Sequence, residues 1–257
     1  MNTLFAAGDV VLRVGRPTAD PMAPIWLAGV LGEHGIRTPR YVRSEPHVDG
    51  SLAVWAIERI EPVGPIDWSE VGGMVARVHR VDPVPVDGRY PAPWCSSFPW
   101  WQFGEVLPTV VDLLDDEART AIEAALARTG GWRTLVERVV LCHGDVHPGN
   151  VMHGHDGPVL LDWDLLCVGP PAWDHAPLMT WTERWGGEPG IYERFAEGYG
   201  ESMRGDEVAE ALALLRLVAA TLMRVRAARI NPAAWNEAER RLRWWRGDPA
   251  APAWQAV

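Results

Sequence analysis

The sequence predicts an α+β chain with a small β-rich N-terminal part and a larger helical C-terminal part. Three observations predict it. Short apolar, β-branched runs gather before residue 61. A break, Glu61-Pro62-Val63-Gly64-Pro65, follows them. Beyond that break apolar residues recur mainly at helical spacing.

Taken in order, residues 8–14 form an apolar run ending at Gly15 and read as a strand, with Arg13 inside it. Residues 24–34 have helical periodicity and stop at Gly35, and Thr38-Pro39 opens the next connection. Residues 41–42 and 52–60 read as strands. After the break, Asp67 or Ser69 can cap a helix running to about His79, itself a structural helix residue. The stretch 82–98 is rich in Pro and lacks periodicity, which suggests a surface loop or lid. Helices are expected over 116–128, 172–185, 191–199, 207–228 and 233–245, and there is no internal repeat. Between them, 151–153 and 158–161 flank a His155-Asp156-Gly157 turn, the pattern of a short hairpin.

Composition narrows the function. A chain of 257 residues can bury a substantial core. No apolar run approaches the roughly 18 residues of a membrane span, and the start lacks a basic segment before an apolar one. A cytoplasmic enzyme with no membrane partner is therefore expected. Three Cys cannot all pair, and Cys142 falls in an apolar strand where a buried free thiol is common. The net charge of −10 argues against a nucleic-acid partner, because a phosphate backbone rewards clustered Lys and Arg. It suits a cationic small molecule, and acids are frequent over 183–210. Of the 15 Trp, those at 94, 100 and 101 are candidates for a flat wall against a bulky acceptor; for most of the others core packing is the expected use.

The chemistry-bearing stretch is His143-Gly144-Asp145-Val146-His147-Pro148-Gly149-Asn150, followed beyond the hairpin by Asp162-Trp163-Asp164. Moving a γ-phosphoryl group needs an aligned hydroxyl and divalent metal on the phosphates. In the kinase pattern an acid that accepts the alcohol proton stands five residues before a metal-ligating Asn, and a second Asp follows the next hairpin. Asp145, Asn150 and Asp162 have that spacing. Mg²⁺ takes hard oxygen ligands and keeps several waters, so one Asn and one carboxylate suffice. Two plainer readings compete. Asp145 and Asn150 can cap a turn. His143, His147, His153 and His155 with Asp162 can be read as zinc ligands, but Pro148-Gly149 forbid the helix that histidines four apart would need.

On these motifs the segment 139–176 resembles the aminoglycoside phosphotransferase family, including a Trp173-Asp174-His175-Ala176 element similar to the family's Asp-Leu-Ala. The resemblance implies a bilobal protein-kinase-like fold, with a nucleotide-binding lobe over 1–61 and a catalytic and acceptor-binding lobe over 62–257. It further implies an ATP- or GTP-dependent O-phosphotransferase with Mg²⁺ as cofactor, nucleotide triphosphate and a small hydroxylated acceptor as partners, and a cationic antibiotic, aminoglycoside or basic cyclic peptide, as the favoured acceptor. Asp145 is then the catalytic base, Asn150 and Asp162 the metal ligands, and His143 and Asp174 supports of the catalytic loop. The backbone of 58–62 is the hinge beside the base. No role is assigned to Asp164.

The match is incomplete in the N-terminal lobe. Where the family usually carries a strand Lys paired with a helix Glu, this chain has Arg13, which keeps the charge and can grip phosphate in a bidentate way. No Glu lies between Arg16 and Gly32, and Asp20 is the one acid there. Little chain precedes the Arg13 strand, so the lobe reads as shortened, either by a start placed too late or by a reduced roof over the phosphates. These departures keep two alternatives in view: a non-catalytic nucleotide-binding relative, and a kinase of a metabolite such as choline, a sugar or homoserine.

Overall fold

The structure, a computed structural model, describes residues 2–256. Its elements run β1 (Thr3–Ala7), β2 (Val10–Gly15), α1 (Ala23–Glu33), β3 (His47–Asp49), β4 (Leu52–Glu58), α2 (Trp68–Val78), α3 (Pro83–Asp87), α4 (Phe103–Val106), α5 (Asp116–Thr129) and β5 (Val140–Cys142). There follow β6 (Val151–Gly154), β7 (Gly157–Leu160), β8 (Cys167–Gly169), α6 (Ala172–Met179), α7 (Trp181–Trp185), α8 (Ile191–Tyr199), α9 (Glu207–Ile230) and α10 (Trp235–Trp245). Two compact units result. One takes the chain up to Pro93 with Val140–Val168 and Arg194–Ser202; the other takes Trp94–Val139, Gly169–Glu193 and the chain from Met203.

In the first unit an antiparallel sheet has the order β1-β2-β4-β3, so β2 is paired on both edges. That pairing places Arg13 opposite Trp55. Helix α1 carries Pro24 in its first turn, where the missing N–H is no loss, buries Ala23, Leu27 and Leu31, and is followed by Gly35 at positive φ. Helix α2 is capped by Asp67, whose Oδ1 accepts the Glu70 N–H at 3.0 Å, and it buries Trp68, Val71, Met74, Val75 and Val78. Each such apolar side chain contributes about 1.5–3 kcal/mol when fully buried. Helix α8 lies directly on α2: a Cβ at Gly72 would stand 2.0 Å from the Phe195 carbonyl oxygen, and one at Gly198 1.7 Å from that of Ser69. His79, a helix residue as expected, hydrogen-bonds Tyr199 Oη at 2.9 Å. The β6–β7 hairpin pairs Val151 with Leu160 and Gly154 with Gly157, and Arg37 holds it by its Nε on the Pro158 carbonyl.

The second unit has its core among α5, α9 and α10, where Ile122, Val218, Leu222 and Leu242 are fully buried. Asp115 and Asp206 cap α5 and α9 through the N–H groups of Ala118 and Ala209. Arg241, nearly buried, pairs with Glu237 one turn earlier and lies against the Trp185 and Trp254 rings. Among the described residues no helix is long and apolar enough to cross a membrane. All three cysteines are buried.

Three expected elements change. Residues 41–42 make only an isolated bridge, Tyr41 to Ile57, and the strand beside them is the exposed 47–49, which lacks an apolar pattern. The stretch 82–98 is not structureless, because Asp82 caps the short α3 through the Val84 N–H. The helix expected over 172–185 is two helices: α6 runs through Pro177 and ends at Met179, and α7 starts at Trp181 after Thr180.

Candidate active site

The loop after β5 is shaped by what its neighbours allow. Gly144 has φ +94, and a Cβ there would meet the Leu165 carbonyl oxygen at 1.9 Å, so only glycine fits. His143 is fully buried, and its Nδ1 accepts the Asp145 backbone N–H at 3.2 Å. Its Nε2 therefore carries the proton and donates to the Leu161 carbonyl at 2.8 Å. Its ring packs on Trp163 with centroids 4.5 Å apart. One imidazole thus links Asp145 to the residue preceding Asp162.

Pro148–Asn150 forms a single 3₁₀ turn. His147 Nδ1 accepts the Gly149 N–H at 3.0 Å, which turns its Nε2 toward Asp145 Oδ2, 3.4 Å away. Asn150 Nδ2 donates to the Asp145 carbonyl at 2.9 Å and to Asp145 Oδ2 at 3.2 Å. The half-buried Asp145 carboxylate is thereby oriented by two neighbours, one of which, His147, entered the sequence reading only as a candidate zinc ligand.

Asp162 has φ +55, the one positive φ among described non-glycine residues, and it starts the turn Trp163–Leu165. Such a conformation marks a backbone held by its surroundings. The Leu161 N–H donates to the Asn150 carbonyl at 2.9 Å, so the segments carrying Asn150 and Asp162 are bonded side by side. Burial pushes the Asp162 carboxyl above its ordinary value of 3.8, and the charge of Asp164 pushes it further while Arg13 opposes. A divalent cation would relieve that cost. The donor set fits one: Asn150 spends its amide hydrogens on Asp145 and keeps its oxygen as an acceptor, and the Asp162 side chain reaches solvent.

Arg13 on β2 pairs with Asp164 Oδ1, and Asn2 Nδ2 donates to Asp164 Oδ2 at 2.7 Å. The guanidinium carbon lies 5.9 Å from the Trp55 ring centroid. Burial opposes its charge, but the hydrogen bond and charge of Asp164 outweigh that and hold Arg13 firmly protonated. A cleft opens beside it, lined by Leu27, Leu31, Ile57, Tyr41, Tyr90 and Asp162. Burial, with Asp164 adding, pushes the Tyr41 phenol up to about 12, and burial also raises Tyr90, whose hydroxyl donates to the Trp163 carbonyl at 3.1 Å.

Arg13, His143, Asp145, Asn150 and Asp162 thus all belong to the first unit. Asp174 lies in the second, fully buried in the first turn of α6. Sequence reasoning missed Asp164, Tyr41 and Tyr90 as site residues and took His147 only for the zinc reading; for Asp164 and His147, adjacency to the motif was the available signal. Among the described residues, the histidines at 143, 147, 153 and 155 form no group at metal-ligand spacing. Trp101 is core, packed on Trp173 at 4.5 Å, while Trp100 stacks on Phe98.

A family model described as "phosphotransferase enzyme family" matches residues 5–212. No curated protein sequence matches the chain. Among solved structures, a spectinomycin phosphotransferase in complex with ADP and spectinomycin superposes with a TM-score of 0.68 at 15% identity, covering 95% of this chain and 88% of that one. A choline/ethanolamine kinase family protein from Mesorhizobium loti gives 0.68 at 17% identity, with coverages of 98% and 86%. An aminoglycoside phosphotransferase in complex with GDP and kanamycin gives 0.69 at 17% identity, with coverages of 96% and 90%. The α+β, protein-kinase-like fold expected from the resemblance is the fold this chain has.

Proposed function

Starting from a chain that belongs to the phosphotransferase enzyme family, we propose that it transfers the γ-phosphoryl group of ATP or GTP to a hydroxyl of a small cationic molecule, an antibiotic of the aminoglycoside or basic cyclic-peptide kind. The observation that carries this reading is the linked trio of Asp145, Asn150 and Asp162. One buried histidine and one backbone hydrogen bond join the acid to both oxygen donors. A turn-capping role would not require that linkage.

In this reading Asp145 orients the acceptor hydroxyl and takes its proton as the oxygen bonds the γ-phosphorus and the bridging bond to the β-phosphate breaks, releasing the nucleoside diphosphate. Asn150 and Asp162 would hold Mg²⁺, which when bound neutralises charge on the phosphates. His147 and Asn150 keep the Asp145 carboxylate in place, and Arg13 meets a phosphate. The division into a nucleotide lobe over 1–61 and a catalytic and acceptor lobe over 62–257, with Asp174 supporting the loop, belongs to the same proposal. The net charge of −10 and the exposed carboxylates at 183, 188, 193, 197, 201 and 206 favour a cationic acceptor.

Calorimetric titration of ATP and GTP, with and without Mg²⁺, tests the reading, followed by a screen of aminoglycosides, basic cyclic peptides and choline by nucleotide consumption. Metal-dependent binding is expected in the parent and in Asp145→Ala but not in Asp162→Ala, with turnover lost in both variants. Turnover by Asp145→Ala at the parent rate would refute the assignment of the base. Binding without turnover on any acceptor would favour a non-catalytic relative.

A further inference from the structure

We infer that Asp164, and no acid on α1, is the residue that positions Arg13 for the nucleotide phosphates. The inference rests on the proposed reading of Arg13 as a phosphate-binding group and explains how an arginine serves there without a helix partner.

Helix α1 has nothing to offer. Its one acid is Glu33, exposed in the last turn, and its first turn has none. Asp20, just before it, spends Oδ1 on the Met22 N–H at 2.8 Å. A cation on β2 that is largely withdrawn from water still needs a counter-charge. Asp164 supplies it from the turn after β7.

Both Asp164 oxygens meet nitrogen donors, Arg13 on Oδ1 and Asn2 on Oδ2. That arrangement suits a pairing acid, with each oxygen already serving a nitrogen donor. Asn2 is itself seated against β2: a Cβ on Gly15 would stand 2.0 Å from Asn2 Oδ1. The Arg13 backbone is fixed by pairing to β1 and β4, and Trp55 underlies the guanidinium. Asp164 stands in the turn that begins at Asp162, and Tyr90 holds that turn by the Trp163 carbonyl. One short turn therefore sets both the phosphate-side cation and a metal-side carboxylate. Arg13 is longer and planar where a lysine is a point charge, and the turn after β7 provides it a carboxylate partner.

Two electrostatic effects compete when Asp164 is neutralised. Phosphate repulsion falls, and the guanidinium loses its anchor. Groups that orient a ligand-binding side chain commonly contribute roughly ten- to a hundredfold in affinity, so the loss of orientation is expected to win. Mg²⁺-ATP titrations would be run on the parent, Asp164→Asn, Asp164→Glu, Arg13→Ala and the Arg13→Ala/Asp164→Asn double variant, with thermal melts to verify folding. Asp164→Asn is expected to bind about tenfold more weakly, Asp164→Glu to recover most of the loss, and Asp164→Asn to add nothing once Arg13 is gone. Parent-like or tighter binding by Asp164→Asn, or an undiminished loss in the Arg13→Ala background, would overturn the inference while leaving the nucleotide site intact. Absence of Mg²⁺-ATP binding by the parent would instead overturn the proposed function, and this inference with it.

Discussion

Replacing Gly144 with alanine probes the loop on which the proposed chemistry depends. The new Cβ would stand 1.9 Å from the Leu165 carbonyl oxygen and 2.7 Å from its carbon, so about 1 Å of backbone movement is needed to restore ordinary contact. The φ of +94 is itself strained for an L side chain. Strain of this kind costs about 1–3 kcal/mol, and imperfect relief of the clash brings the expected loss to roughly 2–4 kcal/mol. At this chain length that corresponds to a fall in Tm of about 5–15 °C. Gly29→Ala is the matched control, in an α1 position with nothing within 4 Å. It should stabilise by roughly 0.5–1 kcal/mol through helix propensity alone. Thermal denaturation followed by circular dichroism reads both. Because Asp145 follows Gly144 directly, the same 1 Å should lower kcat by roughly a hundredfold on whichever acceptor the screen finds. A Gly144→Ala protein melting within a degree of the parent would refute the reasoning, since the loop could then be built without a glycine.

Other outcomes follow from the site. The Asp162 carboxyl is raised above 3.8, chiefly by burial, so the folded state holds its proton more tightly than the unfolded chain does. Stability without metal should fall as pH rises from 3.8 through the raised value, and Asp162→Asn should abolish that fall, as denaturant titrations across acidic pH would show. Mg²⁺-dependent nucleotide binding should be lost on acidification at a pH above 3.8, which calorimetry over the same range would detect. Tyr41, pushed up to about 12, should cost stability as pH rises from 10 toward 12, and Tyr41→Phe should melt with less alkaline dependence in that window. His143→Ala leaves the part-buried Leu161 carbonyl and Asp145 N–H without their ring partner, at a total cost of about 1–3 kcal/mol, measurable by urea unfolding.

Much of the arrangement was legible in the residues themselves. The cap at Asp67, the hairpin around 155–157 and the helices over 191–199 and 207–228 follow from local signals, because capping, turn formation and periodic burial are decided within a few residues. The Asp145–Asn150–Asp162 spacing is equally local and was enough to name the chemistry. Misreadings fell where tertiary context governs. The strand at 47–49 has no apolar face of its own and forms because β4 offers a free edge. The helix read as continuous over 172–185 instead parts at Thr180 into α6 and α7.

By itself, then, the sequence determined the α+β class, the order of most elements and the candidate acid and metal-side oxygens, since each depends on patterns spanning a few turns of chain. Only the tertiary structure decided that Arg13 answers to Asp164, that His143 joins Asp145 to the Leu161 carbonyl, and that Tyr41 and Tyr90 close the cleft. Arg13 and Asp164 are separated by 151 residues, and a pairing at that distance leaves no periodic trace. It arises when β2 and the turn after β7 are brought together and a guanidinium largely withdrawn from water meets a carboxylate that still reaches solvent.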